Sequence, residues 1–338
     1  MALSSSTSRI AFQLYGRAPV ALLRRLARTR LLIPYYHIVG DGESPHVKHL
    51  YAYKTIRQFE DDLDFLCWHY EPVGMHEVLS CIKEGRPLPQ RAFLLTFDDG
   101  YRESSDVVAP ILQRKGITAT FFVNNAFIDN QDLCYLNKAS LLIDEYRRRP
   151  SRTLTDAVSR LLHLESDDVA SGILSVDYRR RHLLDRIAEL MDVDFAHYAS
   201  MQRPYLSTSQ IRALLDMGFT IGAHSIDHPR YASLSFDEQI HQTLASVNNV
   251  RQLFGLDYGV FAFPHSDANV SRAFFSRLAL SPSVDLTFGT AGLIDDHVPN
   301  HLQRFSLERP VDTARSIIAY QHARRLKRLM TMNSEMVR

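Results

Sequence analysis

Phe93-Leu94-Leu95-Thr96-Phe97-Asp98-Asp99-Gly100-Tyr101 is the stretch that decides the fold class of this 338-residue chain. Its first five residues are apolar or favour extended structure, which is typical of a strand buried on both faces in a parallel sheet. Two adjacent carboxylates follow, and Gly100 permits a sharp exit from the strand before a helical pattern begins. Two neighbouring acids repel each other and lose hydration at a strand end, so we expect a bound cation to offset that cost.

Similar apolar runs recur along the chain and alternate with helical patterns. This alternation predicts right-handed parallel crossovers, and six to seven such units indicate a barrel or distorted (β/α) barrel. Capping-box patterns at Thr55, Ser207 and Ser235 mark the starts of three of the helices. The predicted strands cover 31–39, 93–97, 118–123, 219–224, 260–263, 284–288 and 304–308.

The pattern changes between about residues 130 and 203, where charged residues become dense and strand-like runs are absent. We interpret this region as a helical insertion into a barrel that spans residues 31–310, rather than as an independent domain. Residues 1–30 are predicted to form a basic helical segment, and residues 311–338 a C-terminal helix.

The composition constrains the partners and the cellular location. Lys plus Arg total 39 and Asp plus Glu total 38, so net charge suggests no nucleic-acid partner. Three cysteines without a CxxC pair favour reduced thiols. No stretch approaches the roughly 18 to 20 apolar residues of a membrane span, and arginines interrupt the apolar N-terminal residues that a secretory signal would need. We therefore expect a cytoplasmic protein with no obligate protein partner.

The basic amphipathic pattern over residues 9–32 has two interpretations. It could form a helix that lies on anionic lipid, which would make the protein membrane-peripheral. It could also form a terminal helix that packs on the domain, and we favour this second interpretation because such stripes are usually part of a core.

Candidate metal ligands follow three of the predicted strands. They are Asp98-Asp99, then His224 with His228, and His37. Because the carboxyl ends of barrel strands share one face, these side chains should converge, and two histidines with one carboxylate leave positions open for water and substrate. Taken alone, an Asp pair is usually a solvated turn and an HxxxH pair is often structural. If the chain turns helically after its strand, both imidazoles of the His pair lie on one side.

These residues carry a family resemblance. Thr96-Phe97-Asp98-Asp99-Gly100 resembles the first motif of the polysaccharide deacetylases, the carbohydrate esterase group with the nodulation-factor deacetylase homology domain. His224-Ser225-Ile226-Asp227-His228 resembles the second motif, and Phe261-Ala262-Phe263-Pro264-His265-Ser266 the third. Tyr35-Tyr36-His37-Ile38-Val39 resembles the N-terminal Tyr-His strand of many bacterial members. The resemblance spans about residues 31–310, with the helical segment as an insertion.

The resemblance implies a distorted (β/α) barrel and a divalent metal, with zinc expected and Co, Ni or Mn as alternatives. The implied metal ligands are Asp99, His224 and His228, and Asp98 would be the general base. The turn after Pro264 would supply a backbone N–H to the oxyanion. Here the chain departs from the family pattern, because His265 and Ser266 stand where that motif ordinarily has Tyr and Gly.

The general acid is left open by the sequence. Many members use a histidine in a C-terminal Leu-x-His motif, of which this chain has no clean copy. His37 is favoured for the role, His297 and His301 are the alternatives, and a buried structural histidine is the competing interpretation of His37.

Several residues are candidates for contacts around the reacting groups. Arg304 could orient a catalytic carboxylate or contact substrate, and a surface salt bridge is the alternative interpretation. Tyr101 and Asp267 are candidate substrate contacts. Asn124 and Asn125 follow the strand at 118–123 and could also face the site.

The function implied by the resemblance is a metal-dependent hydrolase acting on carbon–nitrogen bonds other than peptide bonds. It would remove an acetyl group from an N-acetylated amino sugar in carbohydrate or cell-envelope metabolism, with a glycan, lipid-linked sugar or sugar nucleotide as substrate. One alternative is hydrolysis of another small amide or an O-acetyl ester at the same site. Another is a non-catalytic carbohydrate-binding protein that keeps the fold.

Overall fold

A parallel sheet that curls into a nearly closed barrel forms the centre of the molecule. The computed structural model describes residues 19–87 and 90–331 and the backbone of residues 335–336. Eight strands follow one another in the order 301–303, 286–289, 260–262, 220–223, 119–123, 95–97, 34–36 and 305–306, and every neighbouring pair is parallel. The predicted distorted (β/α) barrel is therefore confirmed.

The strands are short, and helices cover the outside of the barrel. In chain order the strands are β1 Leu31–Leu32, β2 Pro34–Tyr36, β3 Glu71–Pro72, β4 Ala92–Phe93, β5 Leu95–Phe97, β6 Ala119–Val123, β7 Thr220–Ala223, β8 Val260–Ala262, β9 Leu286–Gly289, β10 Asp295–Asp296, β11 His301–Gln303, β12 Phe305–Ser306 and β13 Glu335–Met336. The helices are α1 Val20–Leu26, α2 Ile56–His69, α3 Met75–Lys83, α4 Ala109–Lys115, α5 Tyr135–Arg148, α6 Arg152–Leu162, α7 Val169–Leu174, α8 His182–Met191, α9 Phe195–Gln202, α10 Thr208–Asp216, α11 Phe236–Phe254, α12 Arg272–Leu278 and α13 Ala314–Met330.

The stretch at 92–97 is buried throughout, as a strand with two covered faces must be. It divides at Leu94 into β4 and β5, where the sequence predicted one strand. β4 lies between β1 and β3 in a separate parallel sheet, whereas β5 lies between β2 and β6 in the barrel. On one side the run keeps the segment that contains β1 and β2, whereas on the other side β6 replaces β3. A hydrophobic pattern does not reveal this exchange.

One extended segment, residues 301–306, closes the barrel. Its first half, β11, pairs with β9, and its second half, β12, pairs with β2. Arg304 stands at the change of partner, where its N–H donates to the carbonyl of Gly289 at 3.1 Å. The next N–H, of Phe305, donates to the carbonyl of Ile33 at 3.2 Å.

Local sequence signals set the helix boundaries. Gly116 ends α4 in the left-handed conformation with φ 66°, a region that glycine enters without steric cost. Each predicted capping box is present, with the side chain of the first residue accepting from the third helical N–H and the reciprocal bond in place. The three pairs are Thr55 with Gln58, Ser207 with Gln210, and Ser235 with Glu238.

The region between Asn130 and Arg203 contains the five helices α5 to α9, and no strand lies within residues 131–203, all of which the structure describes. These helices share an apolar core, which also includes Ile38 and Val47 from the loop region after β2. Stacked rings connect that core to the barrel: Tyr205 lies 5.6 Å from Tyr101 and 5.1 Å from Phe127, measured between ring centroids. The division into domains stays a prediction.

The two terminal segments are only partly described. Residues 1–18 of the predicted basic helical segment lie outside the described residues. α1 packs against α13, with Val20 and Ala27 buried, and the Arg325 Nε donates to the Ala27 carbonyl at 2.9 Å. Within the described part of the chain, no helix combines the length and the apolar character required to cross a membrane.

Candidate active site

A cavity of about 360 Å³ opens where the carboxyl ends of the barrel strands meet. Several of the predicted site residues line it, together with side chains from the loop after β2 and from the helical insertion. The lining residues are Tyr35, His37, His49, Leu50, Tyr51, Asp98, Asp99, Tyr101, Cys134, Leu136, Asn137, Leu174, His228, Arg230, Phe263, His265 and Thr290.

Asp99, His224 and His228 bring three ligand atoms to one point beside this cavity. The Asp99 Oδ1 lies 3.4 Å from the His224 Nε2 and 3.1 Å from the His228 Nε2. Asp99 reaches this position because it adopts a left-handed backbone, φ 69°, two residues after the end of β5. Burial would raise the pKa of Asp99, but the adjacent His228 and His224 hold that pKa well below its usual range.

The loop that carries the two histidines is not helical. The sequence argument placed both imidazoles on one side on the condition of a helical turn after the strand, whereas residues 224–228 form a tight irregular loop in which Ser225 and His228 have φ values of 70° and 64°. The His228 N–H donates to the Ser225 Oγ at 3.0 Å and closes the loop. The left-handed backbone at Ser225 and His228 excludes a right-handed helical turn, and the two imidazoles still converge.

The donor set fits a divalent cation. The His224 Nδ1 donates to the carbonyl of Ala262 at 2.8 Å, so this nitrogen carries the proton and the Nε2 lone pair faces Asp99. The Asp99 Oδ1 is buried and has no hydrogen-bond partner of good geometry among the described residues. A buried carboxylate oxygen is costly without a partner, and a cation between this oxygen and two imidazoles would satisfy it.

Arg304 binds both carboxylate oxygens of Asp98. The Nη1 and Nη2 of Arg304 donate to the Oδ1 and Oδ2 of Asp98 at 2.7 and 2.8 Å. Burial would raise the pKa of Asp98, but the guanidinium outweighs this and lowers it. Asp98 is therefore an ionised carboxylate in a fixed orientation at the cavity wall.

Arg304 itself is fully buried, which excludes the surface salt bridge considered from the sequence. It does not line the cavity, so the structure gives no support to its role as a substrate contact and instead pairs it with a carboxylate. The guanidinium lies 4.9 Å from the ring of Tyr35 and 5.3 Å from that of Phe122. These aromatic faces stabilise a cation that water does not reach.

His37 lines the cavity and is paired with Glu308. The His37 Nδ1 lies 2.6 Å from the Glu308 Oε2, and the other carboxylate oxygen accepts the N–H groups of His37 and Ile38 at 2.9 and 3.1 Å. Burial would lower the pKa of His37, but the Glu308 carboxylate raises it to about 9. Because Nδ1 is engaged, Nε2 is the nitrogen left to exchange a proton at the cavity.

The other two histidines considered for the acid role lie elsewhere. His297 is exposed and does not line the cavity. His301 is buried, with its Nδ1 2.7 Å from the Thr287 Oγ1 and its Nε2 3.1 Å from the Asp267 Oδ2. Asp267 is buried in this network as well and does not line the cavity, so the structure gives no support to its role as a substrate contact.

The turn after β8 presents a backbone donor. The Ser266 N–H donates to the carbonyl of Pro264 at 2.6 Å. The His265 N–H has no hydrogen-bond partner in the described parts of the chain. His265 has φ 57° and its ring packs 4.5 Å from that of His228, and it lines the cavity. Pro264 and Ser266 do not line it. Burial lowers the pKa of His265 well below its usual range, so its imidazole is neutral.

The helical insertion is hydrogen-bonded to both motifs. The Asn137 Nδ2 donates to the hydroxyl of Tyr101, the last residue of the opening stretch, at 2.9 Å. The hydroxyl of Tyr178 donates to Asp227, inside the histidine loop, at 2.7 Å. The insertion also places Leu136 in the cavity wall. It is therefore part of the site.

Asn124 and Asn125 do not line the cavity. Asn124 supports the site indirectly, because its Nδ2 donates to the His224 carbonyl. Asn125 is directed to α11, where its Nδ2 lies 2.6 Å from the Asn249 Oδ1.

Sequence reasoning missed three residues of the site. Glu308 was seen only as the end of a strand, although a carboxylate closing a buried strand is a usable signal. Tyr51, whose ring lies 5.2 Å from that of His37, and Asn137 lie in segments without a motif. Their positions depend on tertiary packing, which the local sequence does not encode.

The sequence matches known proteins along more than half of its length. A profile of the family described as polysaccharide deacetylase matches residues 85–276. A poly-β-1,6-N-acetyl-D-glucosamine N-deacetylase of Escherichia coli (strain K12) is 33% identical over 98 residues, which are 29% of this chain and 15% of that protein. This chain therefore matches only a small part of that relative.

Solved structures are similar over most of the chain. The deacetylase PplD of Streptococcus pyogenes in complex with acetate superposes with a TM-score of 0.53 and 14% identity, covering 87% of this chain and 98% of that one. IcaB from Ammonifex degensii gives a TM-score of 0.53 and 16% identity, covering 87% and 97%. At these identities the similarity establishes the fold alone.

Proposed function

The chain belongs to the polysaccharide deacetylase family, and from that premise we propose that it is a metal-dependent hydrolase that removes the acetyl group from an N-acetylated amino sugar. One observation carries the proposal. Asp98 lies at a cavity beside the convergent Asp99, His224 and His228, and His37 lines the same cavity. A carbohydrate-binding protein has no use for a carboxylate held ionised next to three ligand atoms.

Asp99, His224 and His228 would hold the cation. When bound, zinc or a similar ion would supply Lewis acidity that polarises the amide carbonyl and lowers the pKa of water toward about 7. The orphaned Asp99 Oδ1 and the fixed Nδ1 proton of His224 support this ligand set.

Asp98 accepts a proton from the attacking water at a carboxylate oxygen. A carboxylate with a lowered pKa is a weak base, but Arg304 keeps it ionised and oriented before substrate arrives. Each oxygen of Asp98 uses one lone pair for the guanidinium and keeps another for the incoming proton.

The remaining groups act on the acyl carbon and on the leaving group. The His265 N–H donates to no acceptor among the described residues, so it is available to the oxyanion. His37 donates the proton of its Nε2 to the amine as the carbon–nitrogen bond breaks, and Glu308 stabilises its protonated form. The products are acetate and a free amino sugar.

The E. coli relative, named as a poly-β-1,6-N-acetyl-D-glucosamine N-deacetylase, makes β-1,6-linked N-acetylglucosamine the first substrate to test. Acetate release is measured from this oligosaccharide, from N-acetylated sugar nucleotides and from an O-acetyl ester, with and without chelator. We expect chelator-sensitive release from an amide substrate. Chelator-resistant hydrolysis by metal-free protein would exclude the metal mechanism.

Variants separate the roles of the two adjacent carboxylates. Asp99→Ala and His228→Ala should purify with little metal, whereas Asp98→Asn should retain metal and lose nearly all hydrolysis. An Asp98→Asn variant as active as the wild type would show that Asp98 is not the base.

A further inference from the structure

A second cleft, of about 760 Å³, lies at the opposite end of the strands from the candidate active site. It is formed by α1, the turn that follows it and the residues that precede β4. Five arginines contribute to its walls: Arg24, Arg25, Arg28, Arg30 and Arg91. We call the exposed surface formed by Arg25, Arg28 and Arg30 the basic patch.

The position of this cleft follows from the strand directions. Arg30 directly precedes β1 and Arg91 directly precedes β4, and the Ala92 N–H donates to the Arg30 carbonyl at 2.9 Å. Asp98 follows β5 at the other end of the same strand run, seven residues after Arg91. At about 3.3 Å per residue, the basic patch and the catalytic carboxylates lie roughly 20 Å apart on opposite faces.

The charge of the basic patch is not neutralised by neighbouring side chains. Arg24 and Arg91 are engaged, by the His69 carbonyl at 3.0 Å and by Glu71 at 3.1 Å. Arg25, Arg28 and Arg30 are exposed and form no ion pair with any residue that the structure describes. Uncompensated cations side by side repel one another, so an anionic partner would be attracted to this surface.

The C-terminal helix α13 adds further positive charge beside the basic patch. α13 packs beside α1, and the Arg325 Nε fixes the contact through the Ala27 carbonyl. Lys327 and Arg328, in the last turn of α13, form no ion pair within the described residues. The chain as a whole has a net charge of only +1, so these unpaired cations form a local excess of positive charge.

Apolar side chains lie within the same surface. Leu22 and Leu26 are 53% and 50% exposed, although they are leucines in a short helix that buries its other face. Their spacing of four residues places them on one side of α1, next to Arg25. Exposed leucines among unpaired arginines are typical of a surface that binds the headgroup region of a bilayer.

We propose that α1 and the basic patch bind the surface of an anionic lipid bilayer. The arginines bind lipid phosphate groups, and Leu22 and Leu26 enter the boundary between headgroups and acyl chains. The leucine pair favours lipid over nucleic acid, which would leave both side chains in water. Residues 1–18 contain Arg9 and Arg17 and no acidic residue, so like charge disfavours that segment as the occupant of the cleft.

The orientation of the bound protein follows from this placement. With the amino ends of the strands on the lipid, the cavity at their carboxyl ends faces away from it. The protein would then act on substrate presented from the solvent side.

The experiment is co-sedimentation of the full chain with vesicles of phosphatidylcholine, with and without phosphatidylglycerol, at low and high salt. We expect binding only to the anionic vesicles and weaker binding at high salt. Arg25→Glu combined with Arg28→Glu should lower the partition coefficient on the order of tenfold or more. Leu22→Ser combined with Leu26→Ser should lower it as well, without a change in charge.

Matched controls change the same charge elsewhere. Arg160 on α6 and Arg277 on α12 are exposed and do not line the cleft, so Arg160→Glu combined with Arg277→Glu should bind vesicles like the wild type. Hydrolysis of a soluble substrate should be unchanged in all these variants, which also reports folding. Equal binding by the patch and control variants overturns the proposal, as does wild-type binding by the leucine variant. Binding of an oligonucleotide, but not of vesicles, through the same arginines would overturn it too.

Discussion

Arg304 and Asp98 form an ion pair whose side chains are 0% and 3% exposed. Because a buried charge depends on its partner, we expect Arg304→Met to lower the free energy of unfolding by about 3–5 kcal/mol. It should also lower kcat, since Asp98 loses the group that orients it. Urea unfolding and initial rates, at equal metal content, measure the two effects.

The double variant Arg304→Met with Asp98→Asn is the control for that ion pair. It removes both charges, so it should be more stable than Arg304→Met alone, although it stays inactive. If Arg304→Met unfolds at the same urea concentration as the wild type, the ion pair contributes nothing to stability.

The pairing of His37 with Glu308 predicts a pH dependence. His37 must be protonated to act as an acid, and its pKa is raised to about 9, so kcat/KM should fall as pH rises through about 9. Glu308→Gln removes the carboxylate that raises this pKa, and the alkaline limb of the profile should move to lower pH. Rates measured across the alkaline range check the shift.

The free energy of unfolding should also fall as pH rises over the same range. A histidine whose folded pKa is raised stabilises the fold fully below its unfolded pKa of about 6.5, and this contribution is lost as pH rises through about 9. Glu84 is exposed and does not line the cavity, so Glu84→Gln is a control that should leave the alkaline limb of the pH profile in place. An unchanged limb in Glu308→Gln would mean that another group is the acid.

Among the elements, the helical insertion contributes directly to the cavity. Leu174 at the end of α7 lines it and is 41% exposed. We expect Leu174→Ser to raise KM for a glycan about threefold to tenfold by loss of apolar contact, with kcat and metal content retained. Leu190 on α8 is similarly exposed at 49% and does not line the cavity, so Leu190→Ser is the matched control. Equal KM values in both variants would mean that the insertion does not touch substrate.

Elements that are determined by residues close together in the sequence were predictable. The strand before Asp98, the three capping boxes and the helix end at Gly116 each depend on residues close in sequence, and each is present. The division of that strand run at Leu94 was not predictable, because it reflects which neighbours lie beside each half. The helical turn considered after His224 is absent, because Ser225 and His228 adopt left-handed backbone conformations.

At the scale of the molecule, the proposed metal ligands stand at strand ends while the apolar core lies between the sheet and its helices. We therefore expect chelation to abolish hydrolysis and leave the circular dichroism spectrum unchanged. Metal at 100 times its Kd should stabilise the fold by about 2.7 kcal/mol, seen as a higher Tm in the wild type. Asp99→Ala should show no such shift, and unfolding of the wild type by chelator would contradict the expectation.

The candidate site was predictable to a similar extent. The motifs supplied Asp98, Asp99, His224 and His228, because their spacing after strands is local. The motifs did not predict which residues pair with the side chains of the site. Glu308, whose carboxylate pairs with His37, lies 271 residues later in the chain. Such pairs depend on barrel closure, which brings the last strand against the first.

Barrel closure by residues 301–306 also sets the order in which a newly synthesised chain becomes competent. The ribosome releases Asp98, Asp99, His224 and His228 well before Arg304 and Glu308 emerge. Until then the Asp98 carboxylate has no guanidinium, His37 has no counter-charge, and β2 has an open edge that other strands can pair with. The ion pairs of the candidate site and the protected edge of β2 are thus completed together, when a single late segment of the chain enters the barrel.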